Sequence, residues 1–348
     1  MVSSIFYTGI NVPYASLNGL ITTNQYERGL LGNFRMLLAT AGTMTVNTVV
    51  LKMVTGLGNG NQYDPAGWTK TYVILSLITI GLNFFTFFFC KERVVENTTQ
   101  DGSAQKISFG KSVKGLFKNK YWVLMVIVLF SMYFMMSCFF GSAAYFAQYN
   151  MNDMNTYAPI SNALSLAQII TMFVTPFLMK KVSKRYTMLF GMVVSVVGFV
   201  GTAMVGSSLT AQVVCSVIKG IGFGCGAATM FGLLQDAITY GQWLNGFGTT
   251  GMGNAASSFC TKVGSGIGTA ALGWILSAGG FEASAKVQSA QALSAINVAF
   301  TVVPVILVIV VVVCMIFFDL DKFYAKIIDD LENGRHKGDS SAAQTLKN

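Results

Sequence analysis

An all-α polytopic membrane protein is the fold class this sequence predicts, and three observations predict it. Of its 348 residues, 53% are hydrophobic and 11% are charged, against about 25% charged in ordinary soluble domains. Apolar runs close to the ~20 residues that a helix needs to cross a bilayer recur along the chain. Lysine and arginine, finally, gather in alternate connecting segments.

Nine apolar runs stand out, at about 2–20, 36–56, 71–90, 121–146, 157–179, 187–206, 210–239, 252–278 and 294–318. The first is the weakest, because Thr8, Asn11, Pro13, Ser16 and Asn18 interrupt it. The second begins just after Arg35. Trp68 and Tyr72 at the start of the third, and Tyr121 and Trp122 at the start of the fourth, suit the membrane–water interface. The third ends in an aromatic run from Phe84 to Phe89, a lipid-facing or core feature. A short basic link, Lys180 to Arg185, separates the fifth from the sixth. The seventh and eighth carry the glycine arrays Gly220, Gly222, Gly224, Gly226 and Gly264, Gly266, Gly268. No strand precedes them, so a nucleotide loop is excluded. Spacings such as Gly222/Gly226 and Gly264/Gly268 are small-xxx-small contacts, which let membrane helices approach closely. After the ninth, the tail from Asp319 starts as a charged helix and ends in the polar stretch GDSSAAQTLKN.

The net charge of +9 would suit nucleic acid, but its distribution argues against such a partner. With loops counted alternately, 18 of the 23 basic residues fall on one side. They are Arg28 and Arg35, then Lys91, Arg93, Lys106, Lys111, Lys114, Lys118 and Lys120, then Lys180, Lys181, Lys184 and Arg185, and finally Lys322, Lys326, Arg335, Lys337 and Lys347. By the positive-inside rule this side is cytoplasmic. The chain is thus expected in the plasma membrane, with the C-terminus and the 91–120 loop inside. Nine crossings then leave Met1 outside, yet no basic signal region precedes the first run. Three further helices upstream would make twelve with both ends inside, so the sequence reads as N-terminally truncated. They would also turn a 3+6 division into the 6+6 symmetry of many secondary transporters. The expected domains are a remnant N-terminal bundle of three helices (1–90), a cytoplasmic central loop (91–120), a six-helix C-terminal bundle (121–318) and a cytoplasmic tail (319–348). In the loop, Ile107, Val113, Leu116 and Phe117 are spaced among lysines as on a short amphipathic helix. That helix is either a passive part of the linker or a lipid- or calmodulin-responsive element.

Polar residues inside apolar runs are costly and mark functional sites. Lys262 lies roughly ten residues into the otherwise uncharged run 252–278. A lysine at mid-depth costs at least ~2.5–3.5 kcal/mol on insertion scales and so normally faces a cavity or a polar partner. Tyr7, Asn11 and Tyr14 bring hydrogen-bonding groups to the first run, and Pro13 breaks its backbone ladder. Arg35 is either a donor to sugar hydroxyls or a carboxylate, or a positive-inside anchor. Asp236, the one carboxylate embedded in an apolar run, is either a gate salt bridge or a helix-end ion pair with the basic stretch 180–185. Lys219, in mid-run, is a gating candidate or snorkels toward the outer surface. The six cysteines are scattered singly at 90, 138, 215, 225, 260 and 314, and the one histidine, His336, lies in the tail. No metal, cofactor or Cys/His nucleophile is implied.

Two stretches carry a family resemblance. YTGINVPYASLNGLITTNQYERGLLGNFR (7–35) resembles the fourth helix and following loop of the glycoside–pentoside–hexuronide:cation symporters, the melibiose-carrier family of the major facilitator superfamily. QDAITYGQW (235–243) and SSFCTKVGSGIG (257–268) resemble that family's D..(D/E)YGEW..G segment and lysine-bearing eleventh helix. The resemblance implies major-facilitator-type helical bundles, about nine of twelve helices being present, and cation-coupled uptake of a sugar or glycoside by alternating access. It places Tyr7, Asn11 and Arg35, and Ser258, Thr261 and Lys262, at the sugar. It implies a coupling cation, H+ or Na+, held by second-helix acids that lie outside this chain. Three positions depart from the pattern. Asn11 stands where the melibiose carrier has an acid, and Thr239 and Gln242 replace the acids of the (D/E)YGE motif. A non-transporting sensor on the same fold, or a carrier of another solute, remains open. An enzyme would need a catalytic acid, histidine or metal cluster, which Asp236 alone does not supply, and no ATP-binding motif points to a primary pump.

Overall fold

The computed structural model describes residues 9–10, 14, 17, 21–22, 24–58, 65–89, 109–283, 285 and 287–336. Tyr7 and Asn11, and most of the first apolar run, lie outside them. Every regular element among the described residues is helical. Helix α1 is Gln25–Leu57 and α2 is Pro65–Phe89. The short α3, Phe109–Lys118, precedes α4, Lys120–Tyr145, which runs on through a π turn, Phe146–Asn150. Then come α5 (Tyr157–Lys181), α6 (Lys184–Met204), α7 (Leu209–Asn245) and α8 (Thr250–Ala278). The last membrane helix is α9 (Ala290–Asn297), a second π turn (Val298–Val302) and α10 (Val303–Phe317), followed by the tail helix α11, Tyr324–Glu332.

Among the described residues, 6 helices are long and apolar enough to cross a membrane, which does not confirm the nine runs read from sequence. They are Pro65–Phe89, Lys120–Asn150, Met154–Lys181, Lys184–Met204, Leu209–Asn245 and Ala290–Lys322. Helices α1 and α8 are also long, at 33 and 29 residues, but are not among these six. Both carry polar side chains: Arg28, Asn33 and Arg35 in the first three turns of α1, and Asn254, Ser257, Ser258, Thr261 and Lys262 in α8. The start of α1 also differs from the expectation of 36. Asn24 caps it, its side chain accepting hydrogen bonds from the Tyr26 and Glu27 amides at 2.9 and 3.3 Å. Arg35 therefore stands three turns inside the helix, beyond its mouth.

Lipid tails are as apolar as leucine, so membrane helices associate through close packing and interhelical hydrogen bonds rather than through expulsion of water. Helix α7 is the most deeply buried span and sits between α5 and α6. Alternate glycines make that possible. A Cβ at Gly220 or Gly224 would collide with α5 backbone at Leu164 or Gln168, while one at Gly222 would collide with Gly191 and Ser195 of α6. Helix α8 lies against α4 in the same way, with Gly264 and Gly268 beside the Phe130 and Phe134 carbonyls. Helix α10 closes the bundle against α4 and α6. In α3, Leu116 is buried and Phe117 exposed.

Helix α1 docks on α5 and α7, and one bond explains where. Pro176, inside α5, has no N–H, so the carbonyl four residues earlier, at Met172, lacks its helical donor. Asn33 of α1 supplies it, donating from Nδ2 at 2.7 Å, both groups being buried. Tyr26 adds a weaker bond to the Pro176 carbonyl at 3.3 Å. An orphaned buried carbonyl costs about 1–3 kcal/mol. Asn33→Leu is expected to lower the melting temperature of the detergent-solubilised protein. Adding Pro176→Ala, which restores the intrahelical donor, is expected to recover most of that loss. A double variant no better than Asn33→Leu alone would show that the carbonyl is not the cause.

Candidate functional site

Polar side chains of interest fall into two groups, one clustered where α1 meets α6, α7 and the tail, the other divided between α1 and α8. The first lies at the end of the molecule that holds the tail. Arg28, 3% exposed, donates from Nη1 to the Thr239 hydroxyl at 2.6 Å and to the Tyr324 hydroxyl at 2.9 Å, and from Nε to the Thr22 carbonyl at 2.7 Å. One turn before Thr239, Asp236 is fully buried in an ion pair with Lys184, the first residue of α6. Tyr324 also hydrogen-bonds Asp236, and burial together with that carboxylate pushes the tyrosine's pKa up, keeping its hydroxyl a donor. The backbone allows this density of contacts. A Cβ on Gly232 would stand 3.0 Å from the Gly29 Cα, and one on Gly29 would stand 2.9 Å from the Lys184 side chain.

The remainder of the 235–243 motif is spent on the same junction. Gln235 donates to Asn254 of α8 at 2.8 Å. Tyr240 meets Tyr121 edge-on at 4.8 Å. Trp243 donates from Nε1 to Asp330 of α11 at 3.1 Å, and Arg335 holds the other oxygen of that carboxylate at 2.9 Å. The tail helix is thus clipped beneath α7. Arg185 donates to the Met315 and Ile316 carbonyls at 2.9 and 2.6 Å, capping the end of α10.

The second cluster is the set assigned to sugar. The Arg35 guanidinium lies over the rings of Tyr14, at 4.9 Å, and Phe231 of α7, at 4.6 Å. Ring faces attract the cation through their quadrupoles, and its N–H groups can still donate to hydroxyls or a carboxylate. On α8, Lys262 is exposed and Ser258 and Thr261 are half-buried. The Thr261 hydroxyl donates to the Ser258 carbonyl at 2.7 Å, so toward a ligand it acts as acceptor. A groove of about 470 Å³ between α5, α6 and α7, walled by Leu166, Ile170, Val174, Phe190, Val217 and Ile221, shares none of these residues. Its lining is apolar and suits acyl chains.

Lys219 belongs to neither cluster. It is fully buried, which rules out snorkelling to the outer surface. Its ammonium donates to the Thr202 hydroxyl at 3.0 Å and lies over Phe139, Phe199 and Phe300 at 5.2, 5.3 and 5.0 Å from the ring centroids.

Residues 1–322 match the family model described as MFS/sugar transport protein. The chain belongs to that family. Members of the MFS/sugar transport family are transporters, and with the apolar helices this makes the chain a multi-pass membrane protein that is not an enzyme. It is 32% identical over 347 residues to the isoprimeverose transporter of Lactiplantibacillus pentosus, covering 99% of this chain and 71% of that one. It is 26% identical to the inner membrane symporter YicJ of Escherichia coli, over 87% of this chain and 64% of that one, and 25% identical to the glucuronide carrier protein homolog of the same organism, over 94% and 70%. Among solved structures it is similar to the E. coli fucose:proton symporter, with a TM-score of 0.62 at 13% identity over 88% of this chain and 73% of that one. A second structure of that major facilitator transporter, in the outward conformation, gives a TM-score of 0.64 at 13% identity over 88% and 72%. At that identity the likeness shows the major facilitator fold.

Reading the sequence for functional residues passed over Arg28 and Lys184, which entered only as loop charges, and Tyr324, which carries no motif signal. Arg28 did stand in the ER pair of the first resemblance. Breaking a buried ion pair on one side costs about 3–5 kcal/mol, whereas replacing both partners by apolar residues is often neutral. Lys184→Met is therefore expected to lower the melting temperature sharply, and Lys184→Met/Asp236→Leu to restore much of it. Equal losses in the single and double variants would contradict a pair that acts as a unit.

Proposed function

We propose that this chain is a secondary transporter that imports a sugar or glycoside of the pentoside or hexuronide class across the plasma membrane by cation-coupled alternating access. The observation that carries the reading is the match to a sugar-transport family along residues 1–322. The similarity to an isoprimeverose transporter and to a glucuronide carrier homolog supports the substrate class, and the symporter among the relatives supports the coupling. On this reading residues 1–90 belong to an N-terminal bundle, 121–318 form the C-terminal bundle, and the tail lies in the cytoplasm.

Chemistry supports a substrate position between α1 and α8, the two helices that carry Arg35 and Lys262. Sugars present many hydroxyls and no strong charge, so they are held by groups with several donors each. Arg35 has five donors and Lys262 three, and Ser258, Thr261, Tyr7 and Asn11 add hydroxyls, phenol and amide. Neutral Asn11 in place of an acid removes one fixed charge from that set. No group of three or more metal-binding side chains occurs among the described residues. The tail-side network is the gate: while Arg28, Lys184, Asp236, Thr239 and Tyr324 stay together, α1 cannot part from α6 and α7 at that end.

Lys262→Ala is expected to abolish uptake of radiolabelled isoprimeverose by cells expressing the protein, at unchanged membrane content. Normal uptake by that variant would remove Lys262 from the site. The gate makes a second, opposite demand. Thr239→Glu would give Arg28 a carboxylate, and charge-assisted bonds are roughly twice as strong as neutral ones. Uptake is expected to slow with the apparent affinity for sugar little changed. Faster uptake would mean that parting of this junction does not limit the cycle.

A further inference from the structure

We infer that Lys219 is a proton-binding site inside the C-terminal bundle, whose occupancy is linked to the packing of the two π turns; this rests on the cation-coupled reading above. Lys219 lies ten residues into α7 from Leu209, about 15 Å along the helix. Its walls come from separate elements: Phe139 from α4, Phe199 and Thr202 from α6, and Phe300 from the π turn 298–302. Phe300 stacks on Phe139 at 4.9 Å and on Phe146 at 4.3 Å. Phe146 opens the other π turn, so the two distorted turns meet directly above the ammonium. π turns interrupt a helix at a cost and often mark functional positions. Here the second also precedes Pro304, whose ring would otherwise crowd the Phe300 carbonyl.

The chemistry of the cage depends on one proton. An ammonium has three N–H groups, of which Thr202 accepts one, and the rest face ring surfaces. Ring faces attract a cation through their quadrupoles and hold a neutral amine far less. No ion pair joins Lys219 to a carboxylate among the described residues. The titratable group that acts on it from its own helix is the thiol of Cys215, and α4 brings the thiol of Cys138. At this level α6 and the 298–302 turn bring hydroxyls and rings only. Loss of the proton therefore removes the main attraction between Nζ and three rings on three elements, and frees the π turns to repack.

A polar trail leads outward from the site. Thr202 accepts from Lys219 through its hydroxyl, and its carbonyl accepts from Gln212 Nε2 at 3.1 Å. Gln212 also donates to Gly206 at 2.8 Å, in the exposed turn between α6 and α7. Water entering along this trail takes the proton from Nζ, giving hydronium and a neutral amine, and the reverse step reloads the site. This end is opposite the gate of Arg28 and Lys184, so a proton bound here is exchanged on the other face of the membrane.

The test compares thermal unfolding of the purified protein from mildly acid to mildly alkaline pH in the wild type, Lys219→Met and Phe300→Leu. Methionine keeps the length of the side chain and removes the titrating group. The wild-type melting temperature is expected to change through a titration that Lys219→Met lacks and whose midpoint Phe300→Leu moves. Parallel profiles for wild type and Lys219→Met, offset by a constant, would make Lys219 a packing element only and overturn the inference. Should Lys219→Met not insert, an unmoved midpoint in Phe300→Leu overturns it equally. In proteoliposomes, acceleration of radiolabelled isoprimeverose uptake by a pH gradient is expected in the wild type and lost in Lys219→Met. If the wild type takes up no isoprimeverose, the sugar-transport reading fails, while the melting profiles still decide the proton site.

Discussion

Inside a bilayer every polar group must find its partner within the protein, because lipid tails supply neither donors nor acceptors. The bundle is organised around that constraint. Pro176 removes a donor from α5, and the carbonyl it orphans becomes the docking point for Asn33 of α1. Asn119 caps α4 through the Trp122 amide and also donates to the Ala237 carbonyl of α7 at 2.6 Å. Gln212 ties the ends of α6 and α7, and Gln235 meets Asn254 between α7 and α8. Each polar residue is thus a registration mark fixing which turn of one helix lies beside which turn of the next. The glycines of α7 then determine how close the helices come.

The same constraint separates rigid from movable parts. Contacts among α4, α6, α7 and α10 are apolar and interdigitated, with Met125, Leu129, Met192, Phe199 and Met315 at their centre. Contacts of α1 with α5 and α7 combine one small apolar cluster, Leu37 with Met172, Ala227 and Ala228, with hydrogen bonds made by Asn33, Tyr26 and Arg28. Apolar interdigitation has no second arrangement of comparable energy, whereas a few hydrogen bonds can be exchanged for others or for water. A transport cycle needs both: a bundle that moves as a body and a seam that opens. Helix α7 serves each, packing its glycines into the bundle and turning Phe231, Asp236 and Thr239 toward α1.

Much of this was legible in the sequence, and what was not has identifiable causes. Hydropathy and glycine spacing are local properties, so the helices of the C-terminal bundle and the tight faces of α7 and α8 could be read from neighbouring residues. The length of α1 could not, because its first three turns are polar and the signal for its start is one capping side chain, Asn24. Composition located Lys219 but misjudged its surroundings, since its cage comes from positions 139, 199 and 300, which only the fold brings together. Asp236 was seen as a charge needing a partner. Choosing Lys184 from four basic residues of the 180–185 stretch required knowing which one begins α6. Tyr7 and Asn11 lie outside the described residues, so on the N-terminal side the candidate sugar site is seen through Arg35 alone.

The proposed gate is a place where substitution would tune a cycle without altering a fold. A closed state that must open repeatedly can lie only a few kcal/mol below the open one, because its minor partner has to remain populated. At the tail-side seam two buried cations, Arg28 and Lys184, meet the buried carboxylate of Asp236, and Asp321 also acts on Lys184. Thr239 accepts from Arg28 where the resemblance leads one to expect an acid. A carboxylate there would pair with Arg28 directly and deepen the closed state. The hydroxyl preserves the geometry of the contact, at 2.6 Å, while supplying a neutral acceptor in place of a charge. Tyr324 compensates in part, accepting from Arg28 and donating to Asp236, and it comes from the tail helix that Trp243 and Arg335 clip in place. Closure in this chain therefore leans on the tail more than a seam of paired charges would. Whatever loosens α11 weakens the hold on Arg28, and the tail becomes part of the gate rather than an appendage to it.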